Sequence, residues 1–202
     1  MSFTLWFTGM SGAGKTTLSK RVYLEFKRLG FRAEWLDGDI IRANFSQELG
    51  FSRRDRDINV RRLGFLSHLL NRNGVISVVA AISPYVESRQ ANRRLIATYM
   101  EVFCDCPLDA LIARDPKGLY KKALAGEIAN FTGVSDPYEA PEEPDLRVPT
   151  CEESVEQSFA RIMDSLRRRG LVPPEEECQV CDYGEEDERA WRAWLTQIGY
   201  CR

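Results

Sequence analysis

No apolar run in this 202-residue chain approaches the roughly 18–20 residues needed to cross a membrane, so a helical span is excluded. The opening hydrophobic residues run straight into a glycine-rich loop, unlike a secretory leader, and a cytoplasmic location is expected. Charge of one sign is also lacking. Lys and Arg number 28 against 30 Asp and Glu, so no global basic field recruits nucleic acid. Basic residues cluster only locally, at Arg53-Arg54, Arg61-Arg62 and Arg167-Arg168-Arg169. Internal repeats and low-complexity tracts are absent. Histidine is reduced to one residue, His68, which bears on the six cysteines. Cys178 and Cys181 form a C-x-x-C, but His68 is remote and Cys201 is the sole nearby third ligand, so a structural zinc is the minor reading. Free thiols are expected for Cys104, Cys106, Cys151, Cys178, Cys181 and Cys201.

What is present begins with Gly9, Met10, Ser11, Gly12, Ala13, Gly14, Lys15, Thr16 and Thr17, which fill the pattern G-x-x-x-x-G-K-[ST]. The preceding Phe3–Thr8 stretch is β-branched and aromatic, as a buried strand should be, and Leu18, Val22 and Phe26 follow at helical steps. Strand, turn and helix together make a phosphate-binding loop, with successive N–H groups and the helix N-terminus facing the anion. Lys15 is predicted to reach the β- and γ-phosphates, and the Thr16 hydroxyl to ligate Mg²⁺.

Apolar runs alternate with helical periodicity, which predicts an α/β fold with a parallel sheet flanked by helices. Strands are predicted at 32–36, 75–81, 102–104 and 146–148, with helices over 55–73 and 87–99. Val155, Phe159, Ile162, Met163 and Leu166 mark one face of a closing helix. The span from Arg114 to about Pro144 reads as an irregular lid. Residues 1–172 are assigned to one domain. Residues 173–202 are assigned to an acidic linker and an amphipathic tail helix marked by Trp191, Trp194, Leu195 and Ile198.

Ligands of open α/β sheets bind at the carboxyl ends of the strands, which brings Asp37-Gly38-Asp39 towards the transferred phosphate. These carboxylates could orient Mg²⁺-bound water, with Thr16 and Asp37 as the candidate metal residues, or accept a proton from an attacking hydroxyl. Helix capping explains one of them equally well. Arg42 lies three residues beyond Asp39. From Leu49 to Arg62, guanidinium groups crowd around Phe51, which suits a planar, anionic second substrate. A solvated charged helix with one core phenylalanine fits the same pattern.

The segments GMSGAGKTT, LDGDIIR, LGFSRRDRDINVRR, ISPYVESR and ARDPKGLYKKALAGEIANFTGVSDPYEAPEEPDL, in this order, resemble the adenylyl-sulfate kinases over about Phe3 to Leu171. The resemblance implies a P-loop NTPase-type three-layer fold, usually dimeric, that phosphorylates the 3′-hydroxyl of adenosine 5′-phosphosulfate (APS) with MgATP. It implies that Gly9 to Thr17 and Arg114 hold ATP. Asp39, Arg42, Phe51, Arg56, Asn59, Ile82, Ser83, Lys117, Asn130 and Phe131 would hold the sulfate nucleotide, with Phe51 and Phe131 stacked on its adenine. Ser83 falls on the family's phosphoserine position. Direct transfer between two bound nucleotides needs no covalent stop, so substrate contact is its expected role. Two other readings compete: a kinase for a different small hydroxyl compound, and a nucleotide-binding partner domain whose tail docks a protein such as ATP sulfurylase.

Overall fold

The computed structural model describes residues 2–174 together with Ala193. Five strands form one parallel sheet: β1 (Thr4–Thr8), β2 (Ala33–Asp37), β3 (Ile76–Ala80), β4 (Tyr99–Asp105) and β5 (Leu146–Pro149), in the order β2-β3-β1-β4-β5. β1 and β3 are buried at every position, as parallel strands covered on both faces must be. Connections leave β1 on one side to β2 and later return to β4 on the other. The switch point therefore lies at the carboxyl end of β1, where the glycine-rich loop begins.

Helices cover both faces. On one face, α1 (Lys15–Arg28) and α7 (Val155–Arg168) bury Leu18, Val22, Phe26, Ile162, Met163 and Leu166 against Phe3, Leu5 and Phe7. On the other, α3 (Arg53–Arg72) sets Val60 and Leu63 against Trp6, Leu36 and Val79. α2 (Gly38–Phe45), α4 (Val86–Leu95), α5 (Leu108–Arg114) and α6 (Leu119–Leu124) complete the fold. Ser154 and Gln157 close a reciprocal capping box at α7, and Ser52 caps α3 through the Asp55 N–H.

Three expectations change. The helix predicted over 87–99 stops at Leu95, because β4 already pairs from Tyr99 with Thr4. The span read as irregular after Arg114 contains α6, whose first N–H groups bond the Asp115 carboxylate. Cys106 and Cys151 form a disulfide instead of staying reduced. β4 and β5 are adjacent, with Asp105 paired to Pro149, so the two cysteines lie just past neighbouring strand ends, 5.4 Å apart at Cα. Cys104 is a free, buried thiol. The C-x-x-C, Cys201 and the predicted tail helix lie outside the described residues. Among those residues, no group of three or more His, Cys, Asp or Glu could hold a metal, and no helix is long and apolar enough to cross a membrane.

Candidate active site

The glycine-rich loop owes its path to close approach. A Cβ on Gly9, at φ 145°, would lie 2.6 Å from the Cys104 carbonyl oxygen, so the turn off β1 can pass β4 only without a side chain. The loop ends at Gly14, left-handed at φ 84°, and α1 begins directly with Lys15. The Lys15 ammonium is buried and donates to the Met10 carbonyl at 2.7 Å. Burial lowers its pKa from 10.5 to about 8, opposed by the nearby Cys104, Asp39 and Asp37. A cation so placed gains from an incoming polyanion.

Asp37 ends β2, and both of its oxygens are engaged. One accepts the Asp39 N–H at 2.9 Å and so caps α2; the other accepts the Thr16 hydroxyl at 3.0 Å. The residue that caps α2 is therefore also the one that meets the Thr16 hydroxyl. Burial, then the charge of Asp39, raises the Asp37 pKa. A buried carboxylate beside a hydroxyl is a donor set that a hard divalent cation would stabilise. Asp39 is exposed and pairs with Lys117 at 3.0 Å.

These groups open into a cavity of ≈ 600 Å³. Its walls include Ser11, Gly12, Gly14, Lys15, Thr16, Thr17, Asp37 and Asp39 on the loop side. Arg42, Phe51, Arg56, Asn59, Ile82, Ser83, Lys117, Asn130 and Phe131 form the other side. Residues more than a hundred positions apart thus share one chamber. Gly9, Met10, Ala13 and Arg114 do not line it. Ala13 is buried in the core, while Met10 faces a neighbouring cleft beside Gly133. The exposed Arg114 guanidinium lies near the Thr150 and Cys151 carbonyls, and a Cβ on Gly14 would lie 3.9 Å from Thr150. Arg114 therefore flanks the loop from outside the chamber.

Arg56 is buried and joins two segments of that second side, donating from Nε to the Phe51 carbonyl at 3.0 Å and from Nη2 to the Asn130 carbonyl at 2.5 Å. Phe51 is 56% exposed, with the Arg42 guanidinium 4.3 Å from its ring centroid; Phe131 is buried and edge-on to Tyr120. The Tyr120 hydroxyl donates to the Ser11 carbonyl, tying the lid to the phosphate loop. Ser83 adopts a left-handed φ of 45°, and its hydroxyl oxygen accepts from Trp6 Nε1 at 3.0 Å. Among the described residues no base hydrogen-bonds it.

Sequence reasoning missed Thr132, whose buried hydroxyl lines the chamber without a hydrogen-bond partner, as does the Asn59 carbonyl oxygen. Buried polar atoms left open in a cavity wall are suited to a ligand. The sole signal for Thr132 is its place next to Phe131.

Comparison with known proteins gives consistent findings. A family model described as adenylylsulphate kinase matches residues 1–149. The chain is 51% identical over 171 residues to an adenylyl-sulfate kinase of Picosynechococcus sp., covering 85% of this chain and 97% of that one. It is equally similar to a probable bifunctional SAT/APS kinase 2 of Sorangium cellulosum, of which it spans 29%. Among solved structures, the Mycobacterium tuberculosis APS kinase CysC in complex with AMPPNP and APS aligns with a TM-score of 0.78 at 43% identity. That alignment covers 82% of this chain and 98% of the other.

Proposed function

The chain belongs to the adenylyl-sulfate kinase family, and from that premise we propose that it transfers the γ-phosphoryl group of ATP to the 3′-hydroxyl of APS. The products are ADP and 3′-phosphoadenosine 5′-phosphosulfate. The observation that carries this reading is the single chamber in which a buried phosphate-loop lysine faces an arginine-rich, aromatic wall. The loop from Gly9 to Thr17 binds the ATP phosphates, with Arg114 approaching from its outer flank. Phe51 and Phe131 stack on the acceptor adenine, and Arg42, Arg56 and Asn59 meet its anionic groups. Ile82, Ser83, Lys117, Asn130 and the unpartnered Thr132 hydroxyl complete that pocket.

Asp39 accepts the proton of the 3′-hydroxyl as its oxygen attacks the γ-phosphorus and ADP leaves; Lys15 offsets the charge on the transferred group. Ser83 acts by contact, since among the described residues its hydroxyl meets Trp6 Nε1 and no base that would activate it. Thr16 and Asp37 are the residues that would hold Mg²⁺, directly or through water. The ion would supply charge neutralisation at the phosphates. Residues 1–172 form the kinase unit and work as a cytoplasmic homodimer, and the 173–202 segment is a separate tail, a candidate contact for ATP sulfurylase.

The test is ADP release from purified protein with ATP, with and without APS, beside AMP, CMP and gluconate. Release that depends on APS alone is the expected outcome. Equal release with gluconate or AMP would move the assignment to another small-molecule kinase.

A further inference from the structure

The loop that carries Ile82 and Ser83 has no regular structure of its own, yet it holds Ser83 in a backbone region that non-glycine residues enter at a cost. Something must hold it there. Arg89, in the first turns of α4, is 3% exposed, and its fork spreads across three partners. One terminal nitrogen donates to the Ser83 carbonyl at 2.7 Å, the other to the Glu139 carbonyl at 2.7 Å, and Nε faces the buried Glu101 carboxylate at 3.1 Å.

Glu139 returns the contact. Its N–H donates to the Pro84 carbonyl at 2.8 Å, and its carboxylate accepts the Val86 N–H at 2.7 Å, at the start of α4. The far end of the lid and the Ser83 loop are thus fastened together, and Arg89 is the pin. Glu101 supplies the countercharge that lets a guanidinium remain under the site.

We propose that Arg89 is a positioning residue for the acceptor nucleotide: it fixes Ser83 in its left-handed conformation and ties the lid's return to the acceptor wall. It touches no substrate. The inference rests on the phosphotransfer reading above, which the unvaried protein tests on its own through APS-dependent ADP release. The variants then ask a separate question.

Arg89→Lys keeps the charge but loses the planar fork. It is expected to raise the KM for APS about tenfold, the size of one charge-assisted hydrogen bond, while the KM for ATP moves less than about twofold. The decisive measurement is a double-mutant cycle with Ser83→Gly, because glycine takes a positive φ without strain. Beside glycine, Arg89→Lys should cost several-fold less than beside serine. A cost equal in both backgrounds, or KM values for ATP and APS that rise together or not at all, overturns the proposal. Should Arg89 variants fail to fold, Glu139→Ala loosens the joint from the part-exposed side by removing the carboxylate's bond to the Val86 N–H, while the backbone bonds to Arg89 and Pro84 stay. A rise in the KM for APS alone then supports the assignment, and KM values for APS and ATP that rise together or not at all overturn it.

Discussion

Lys15 opposes stability in the free protein, a burden that the proposed phosphotransfer would turn to use in the complex. Its pKa is about 8 in the fold against 10.5 outside it, because burial disfavours the ammonium. Between those values the unfolded chain holds a proton that the folded chain has released, so this group's contribution to stability rises with pH across that window. Below about pH 8 the fold carries the full burden of the buried charge, on the order of 3 kcal/mol. Lys15→Met should therefore raise the denaturant midpoint at neutral pH, flatten its rise between pH 8 and 10.5, and abolish phosphotransfer; equilibrium unfolding at several pH values checks this. Asp39 makes the opposite trade. It is exposed and held by Lys117 alone among the described ion pairs, so Asp39→Asn should leave the unfolding midpoint nearly unchanged and lower kcat by orders of magnitude. Survival of turnover within a few-fold would remove it as the proton acceptor. Arg56→Ala loses the bridge between Phe51 and Asn130, so it should weaken APS far more than ATP, read as separate KM values.

At the scale of elements, the α3–α4 contact depends on an absent side chain. A Cβ on Gly64 would lie 2.0 Å from the Asn92 side-chain oxygen, while the Asn92 amide donates to the Val60 carbonyl at 3.1 Å. Gly64→Ala must push α4 off α3 or break that bond, and a cost of about 1–3 kcal/mol is expected in a urea titration. Because α4 also carries Arg89, the same variant should raise the KM for APS. Most of helix α3 was legible from the sequence, as were β1 and the loop after it, since each pattern is local: a helical stretch, a β-branched and aromatic run, a glycine-rich turn. The join between α4 and β4 was not. Arg93, Arg94 and Leu95 continue a helical pattern, and it is the pairing of Tyr99 with Thr4, a long-range event, that ends it. Helix α6 was hidden for a related reason. Its start is set by the Asp115 carboxylate bonding two N–H groups, inside a lysine-rich stretch with little apolar period.

At the scale of the whole molecule, the sheet order decides which distant residues meet. Asp37 ends β2, and Lys15 and Ser83 come after the ends of β1 and β3, three neighbouring strands. The rule for open parallel sheets brought Asp37 to the phosphate loop, whereas Ser83 was expected there from the family resemblance alone. Thr132 and the fastening by Arg89 follow from tertiary packing and leave no local mark. The disulfide belongs to that second group: 45 residues separate Cys106 from Cys151, and nothing in their spacing names the pair. Its consequence is set by topology, because it closes the segment that includes α5, the lid and β5 into one loop. In the chain-entropy picture a loop of this length is worth up to about 4 kcal/mol through the unfolded state. Cys151→Ser should therefore lower the midpoint of unfolding measured without reductant. A thiol reductant should lower the midpoint of the unvaried protein and leave the variant's unmoved. If reductant shifts both alike, the cross-link does not contribute, and β5 and the lid are held by packing alone.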